Sequence, residues 1–89
     1  MPWFPETLRD KLDAGKVVTV GGHNHRYSVL EVLQDDGEWK VKLFNPKAYD
    51  GSPNDVLPIE KVGANDGVFY MKWSDFTNPF YFTYYTFTR

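Results

Sequence analysis

The chain of 89 residues contains no cysteine. That excludes disulfides, a thiolate metal site and any thiol nucleophile supplied by the chain itself, and it removes the usual clue to redox compartment. Long hydrophobic runs are missing as well. No apolar stretch approaches the ~18 residues that a membrane-crossing helix requires. Met1 leads into Pro2-Trp3-Phe4-Pro5 rather than into the charged and apolar regions of a signal peptide. Neither charge sign dominates: ten basic and twelve acidic residues leave a formal net charge of −2. With the signs interspersed, a surface dedicated to nucleic acid is not expected. Histidine is scarce, and both copies, His23 and His25, fall in one short segment. Internal repeats and low-complexity tracts are absent.

What the chain has instead is apolar and aromatic content, 42% and 18%, enough to build a core without staples. At this length it forms one soluble domain over residues 1–89, burying roughly 60–65% of the surface of the unfolded chain.

Local patterns place the elements. Pro5 to Ala14 predicts a short helix: Leu8 and Leu12 make an apolar stripe, Pro5 and Glu6 suit the first turn, and Gly15 suits the position just past the end. Trp3 and Phe4 ahead of it read as an anchor. Lys16–Val20 is a Val-rich strand ended by Gly21-Gly22. Arg26–Gln34 is a second, with Tyr27, Val29 and Leu33 on one face and Ser28, Leu30 and Val32 on the other, as in a strand buried on both sides. Asp35-Asp36-Gly37 signals a hairpin turn, and Trp39–Phe44 alternates as a half-buried antiparallel strand. Residues 45–65 read as a long loop with an extended piece near Val56–Ile59. Asn65-Asp66-Gly67 is a second turn before the strand Val68–Lys72. Ser74 is placed to cap a helical turn that ends at Phe76. Phe80–Phe87 is a β-prone aromatic run that must be central, closed in a barrel or covered by a partner. The fold class is therefore α+β, mainly β: a short N-terminal helix plus an antiparallel twisted sheet or half-barrel of five to six strands.

Chemistry concentrates at the open end of the central hairpin. His25 heads one strand and Asn45 closes the next, at nearly equal distances in sequence from the turn at Asp36-Gly37. An antiparallel pairing brings them side by side, so an asparagine amide can fix the tautomer of the imidazole and leave its other nitrogen to act as a base. The alternatives are a histidine packed and hydrogen-bonded for stability and an Asn45-Pro46 that simply turns the chain. His23 reads as a solvated loop residue. His23 and His25 lack a third ligand at metal spacing, so no metal site is expected there.

Three segments then fall in a recognisable order. They are His25-Arg26-Tyr27-Ser28-Val29, Leu43-Phe44-Asn45-Pro46, and Asp66-Gly67-Val68-Phe69-Tyr70-Met71 followed by Ser74-Asp75-Phe76. Together they resemble the calpain-like cysteine proteases, specifically the second, β-rich half of their papain-like catalytic domain, from about Leu8 to the C-terminus. The resemblance implies a catalytic His25 acting as general base and Asn45 as its orienting partner; Lys47 and Tyr49, next along the chain, are the candidates to face substrate or partner.

The chain departs from the family where Trp-Gly would follow Asn-Pro, having Lys47-Ala48 instead. It also has Val68 where the family carries a Glu of its calcium site, which leaves Asp66 as a weak calcium candidate and no cofactor expected. The implied partner is a Cys-bearing protease half or another protein, with no nucleic acid and no membrane. The alternative function is a non-catalytic, protease-like binding or regulatory module, a reading that Met1 so close to the first helix also suits. An unrelated β-domain binding a peptide along its aromatic strand is a third possibility.

Overall fold

The computed structural model describes residues 4–22, 25–45, 58–61 and 67–88. Helix α1 (Pro5–Asp13) leads into strands β1 (Val17–Gly22), β2 (His25–Asp35) and β3 (Glu38–Phe44). After these come β4 (Glu60–Lys61), β5 (Val68–Lys72), the single-turn α2 (Trp73–Phe76) and β6 (Tyr84–Thr88). The strands form one six-stranded antiparallel sheet in the order β4-β5-β3-β2-β1-β6, so β4 and β6 are its edges. The mainly-β α+β architecture is as the sequence predicts. Among the described residues no helix is long and apolar enough to cross a membrane.

α1 begins with a proline at its first position and closes into Gly15, whose φ of +83° is the left-handed conformation glycine reaches without a Cβ clash. Leu8 is its fully buried residue and Leu12 packs at the margin of the core. Arg9 lies over the Trp39 ring, 5.3 Å from its centroid. Phe4 is not the anchor the sequence suggests. It is 73% exposed, and Trp3 lies outside the described residues.

The β2–β3 hairpin is the backbone of the sheet. Asp35 pairs with Glu38, so the loop is the two residues Asp36 and Gly37, at φ 54° and 82°. Two consecutive positive φ values define the turn whose twist matches that of the flanking strands. On β3, Val41 and Leu43 are fully buried while Lys40 and Lys42 face out, as the alternation predicts.

β2 differs from the expected two-faced strand. A bulge between Val29 and Glu31 adds one residue against β3 and reverses the alternation. Tyr27 and Val29 point inward before it and Val32 after it, while Leu30 is left 46% exposed. The inward side chains therefore sit at both odd and even positions although only one face is buried.

That inner face is covered by α1, α2 and the turn at residues 78–82. Tyr27 stands edge-on to both Phe69 (5.7 Å, 88°) and Phe82 (5.8 Å, 71°), and Phe76 joins Phe82 and Tyr85. Edge-to-face rings satisfy the aromatic quadrupole, each pair contributing about 0.5–1.5 kcal/mol beyond area burial.

Two further expectations need correction. Ser74 lies inside α2, whose cap position is Lys72 with no side-chain bond, although Phe76 does fold back into the core. The terminal aromatic run forms a strand only from Tyr84. Before it, Asn78 accepts from the Phe80 N–H at its side-chain oxygen (3.0 Å) and from the Tyr81 N–H at its carbonyl (3.0 Å). Asn78-Pro79 thus turns the chain in spite of the β propensity that follows. In the long loop β4 lies just beyond Ile59, while Val56 and Leu57 of the extended piece expected there lie outside the described residues.

Candidate functional site

The open end of the β2–β3 hairpin is built from three crossings. β1 and β2 pair with Gly22 opposite His25, so residues 23 and 24 are the connection between them. His25 is the first residue of β2; its side chain, like His23, lies outside the described residues. On the other side the β2–β3 ladder ends with Ser28 opposite Phe44. One further step along that register sets Asn45 beside Tyr27, which makes position 25 its diagonal neighbour, a spacing of roughly 7–8 Å between backbones. The bulge in β2 supplies the offset that lets the two ends meet.

Asn45 is held from two directions. Phe44 pairs with Val68 of β5, and the Asn45 N–H continues that contact by donating to the Gly67 carbonyl at 2.8 Å. Gly67 itself turns at φ 93°. The Asn45 side chain is 0% exposed, and among the described residues it is the sole fully buried polar one. Taking an amide out of water costs several kcal/mol unless its hydrogen bonds are replaced. Tyr27, 1% exposed, carries the aromatic cluster into this end of the sheet.

The two residues read from the sequence as a pair, His25 and Asn45, thus have backbones brought together by one sheet register. Lys47, Tyr49 and Asp66 lie outside the described residues. Among the described residues no group of three or more His, Cys, Asp or Glu side chains is placed to hold a metal ion.

A second polar cluster, not foreseen from the sequence, lies on the open face of the sheet toward the hairpin tip. Lys40 Nζ contacts Glu60 Oε1 at 3.0 Å and Asp35 Oδ2 at 3.4 Å. With Leu33 and Tyr70 these residues line a shallow pocket of about 210 Å³. The hydrogen bond to Glu60 raises the Lys40 ammonium above its ordinary value; burial opposes it, and the hydrogen bond to Asp35 adds to the rise. The cluster joins residues far apart in sequence, and the only hint of it is the outward position of Lys40 on an alternating strand. The Lys40–Glu60 pair ties β4 to β3 across the sheet.

No family model, curated protein or solved structure matches this chain.

Proposed function

We propose that this chain is the His/Asn half of a calpain-like cysteine protease, incomplete alone because the nucleophilic cysteine belongs to another segment or chain. In the assembled site His25 takes the proton of that thiol as general base. The thiolate attacks the scissile carbonyl, and His25 returns the proton to the leaving amine as the C–N bond breaks. Asn45 accepts the second imidazole N–H and so holds the ring in the productive tautomer. Lys47 and Tyr49, next along the chain, contact substrate or the partner half.

The observation that carries this reading is Asn45. A fully buried amide stands at the end of β3, one ladder step beyond the Ser28–Phe44 pair, beside Tyr27 and diagonal to the position of His25. A turn-forming asparagine would keep its side chain in water, whereas an orienting residue has to be fixed and dry. The absence of a cysteine from the sequence makes the chain dependent on a partner for turnover.

The competing reading is a protease-like binding module without catalysis. It draws on Lys47-Ala48 and on Val68, which pairs with Phe44 in the sheet where the family has a charged residue. The deciding experiment expresses the chain together with the segments its gene and neighbouring genes encode, and assays casein or a fluorogenic peptide. The protease reading expects hydrolysis blocked by thiol alkylation and lowered about 10²–10⁴-fold by His25→Ala. Hydrolysis indifferent to that substitution sinks it, and no hydrolysis with any cysteine-bearing partner favours the binding module.

A further inference from the structure

The two edges of the sheet are built differently. β4 is two residues long, both charged, and its Glu60 is tied to Lys40 at 3.0 Å. Shortness and charge are how natural sheets blunt an edge against unwanted pairing. β6 has neither. It runs for five residues, Tyr84–Thr88, without a charge, proline or glycine, and no residue between Asp75 and Arg89 is charged. Among the described strands it pairs with β1 alone. Thr86 is exposed, and its hydroxyl meets that of Thr19 across the β1–β6 pair, while Thr19 pairs in turn with Ser28. The outward face near this edge therefore carries a row of hydroxyls and no charge at Thr86, Thr19 or Ser28.

We propose that β6 is the docking edge for a second copy of this chain, joined by antiparallel β6–β6 pairing about a twofold axis at Thr86. The backbone N–H and C=O groups of an edge are completed by an extended segment, which fixes the class of occupant as a strand. Self-pairing is favoured by the sequence of the strand. Residue 86 meets its own copy, 85 meets 87 and 84 meets 88, and no charges are opposed in any of these pairs. The arrangement also explains the asymmetry of the edges. Pairing through β6 is isologous and closes after two copies. The joined sheet then ends on both sides in β4, the blunted strand, so assembly stops at a dimer.

The test is the oligomeric state of the whole chain, followed by sedimentation from micromolar to near-millimolar concentration. The wild type is expected to show a monomer–dimer equilibrium. Thr86→Lys and Thr86→Glu each place like charges opposite one another at the axis and should raise the dimer dissociation constant about five-fold or more. An equimolar mixture of the two should restore association. Circular dichroism melting of each variant checks that its monomer is folded. A wild type that stays monomeric throughout overturns the proposal, since the edge is then covered from within the chain or by a different protein. So does a dimer insensitive to both charges, or a mixture that associates no better than either variant alone.

Discussion

The two ends of the β2–β3 hairpin use polar residues in opposite ways. At the tip, Asp35, Asp36, Gly37 and Glu38 are all exposed, and the Lys40 pairs with Asp35 and Glu60 sit at the surface. The carboxylates there keep much of their hydration, and ion pairs at the surface add little to stability. At the open end, about 20 Å away by the rise of its strands, Asn45 is fully buried against the Gly67 turn. Nothing about strand pairing requires a polar side chain at that position, and an apolar one would avoid the desolvation cost. A buried amide whose hydrogen bonds must be met inside the protein is what sets the open end apart from the tip.

Substitutions at the two ends break or sharpen that contrast. The largest effect is expected at Leu43, fully buried beside the open end: Leu43→Ala should cost about 2–5 kcal/mol in urea unfolding. Leu30→Ala on the neighbouring strand should stay within about 0.5 kcal/mol, because the bulge has already turned that side chain outward. Equal losses at the two positions would contradict the bulge. Next comes Asn45→Ala, which strands the groups around the buried amide and should cost about 1–3 kcal/mol by the same measurement.

At the tip, Gly37→Ala should cost roughly 1–2 kcal/mol from the left-handed backbone alone, since a Cβ there meets nothing within 4 Å. Lys40→Met should give the smallest shift of the series, and one that disappears at high salt.

The alkaline limb of stability gives a further contrast. Lys40 is raised from its ordinary 10.5 by its hydrogen bonds to Glu60 and Asp35, and Tyr85 from its ordinary 10.0 by burial. For both groups the folded protein holds its proton longer than the unfolded chain does. Their contribution is therefore complete below about pH 10 and is lost as pH rises through the higher folded values. Tyr85→Phe should make the fall in stability above pH 10 shallower, as read from melting temperatures across a pH series. Lys40→Met should do so to a smaller degree.

Elements whose signals are local were legible in the sequence. The Asp36-Gly37 turn, α1 with its terminal Gly15, the alternation of β3 and the bounds of β5 each depend on residues close in the chain. What the sequence hid was set by tertiary pairing. Leu30 is as apolar as Val29, and only the register against β3 shows that one residue is extra. Phe80 has the β propensity of Tyr84, but the hydrogen bonds of Asn78 take the chain into a turn first. Lys40, Asp35 and Glu60 meet because β3, β4 and β5 are neighbours in space, which no spacing in the sequence reveals. At the candidate site, the residue types and the near-equal arms about the turn pointed to Asn45 and His25. The full burial of Asn45 was not foreseeable, because it follows from the Gly67 contact across β5.

The most direct test of the account is the state of the His25 ring in solution. A long-range proton–nitrogen correlation spectrum of the imidazoles, taken at a pH where they are neutral, distinguishes the two tautomers of each ring. The account predicts a single tautomer for His25 that is lost in Asn45→Ala, while His23 averages both forms in either protein. A His25 spectrum that matches that of His23, or that is unchanged by Asn45→Ala, would contradict the orienting role assigned to Asn45.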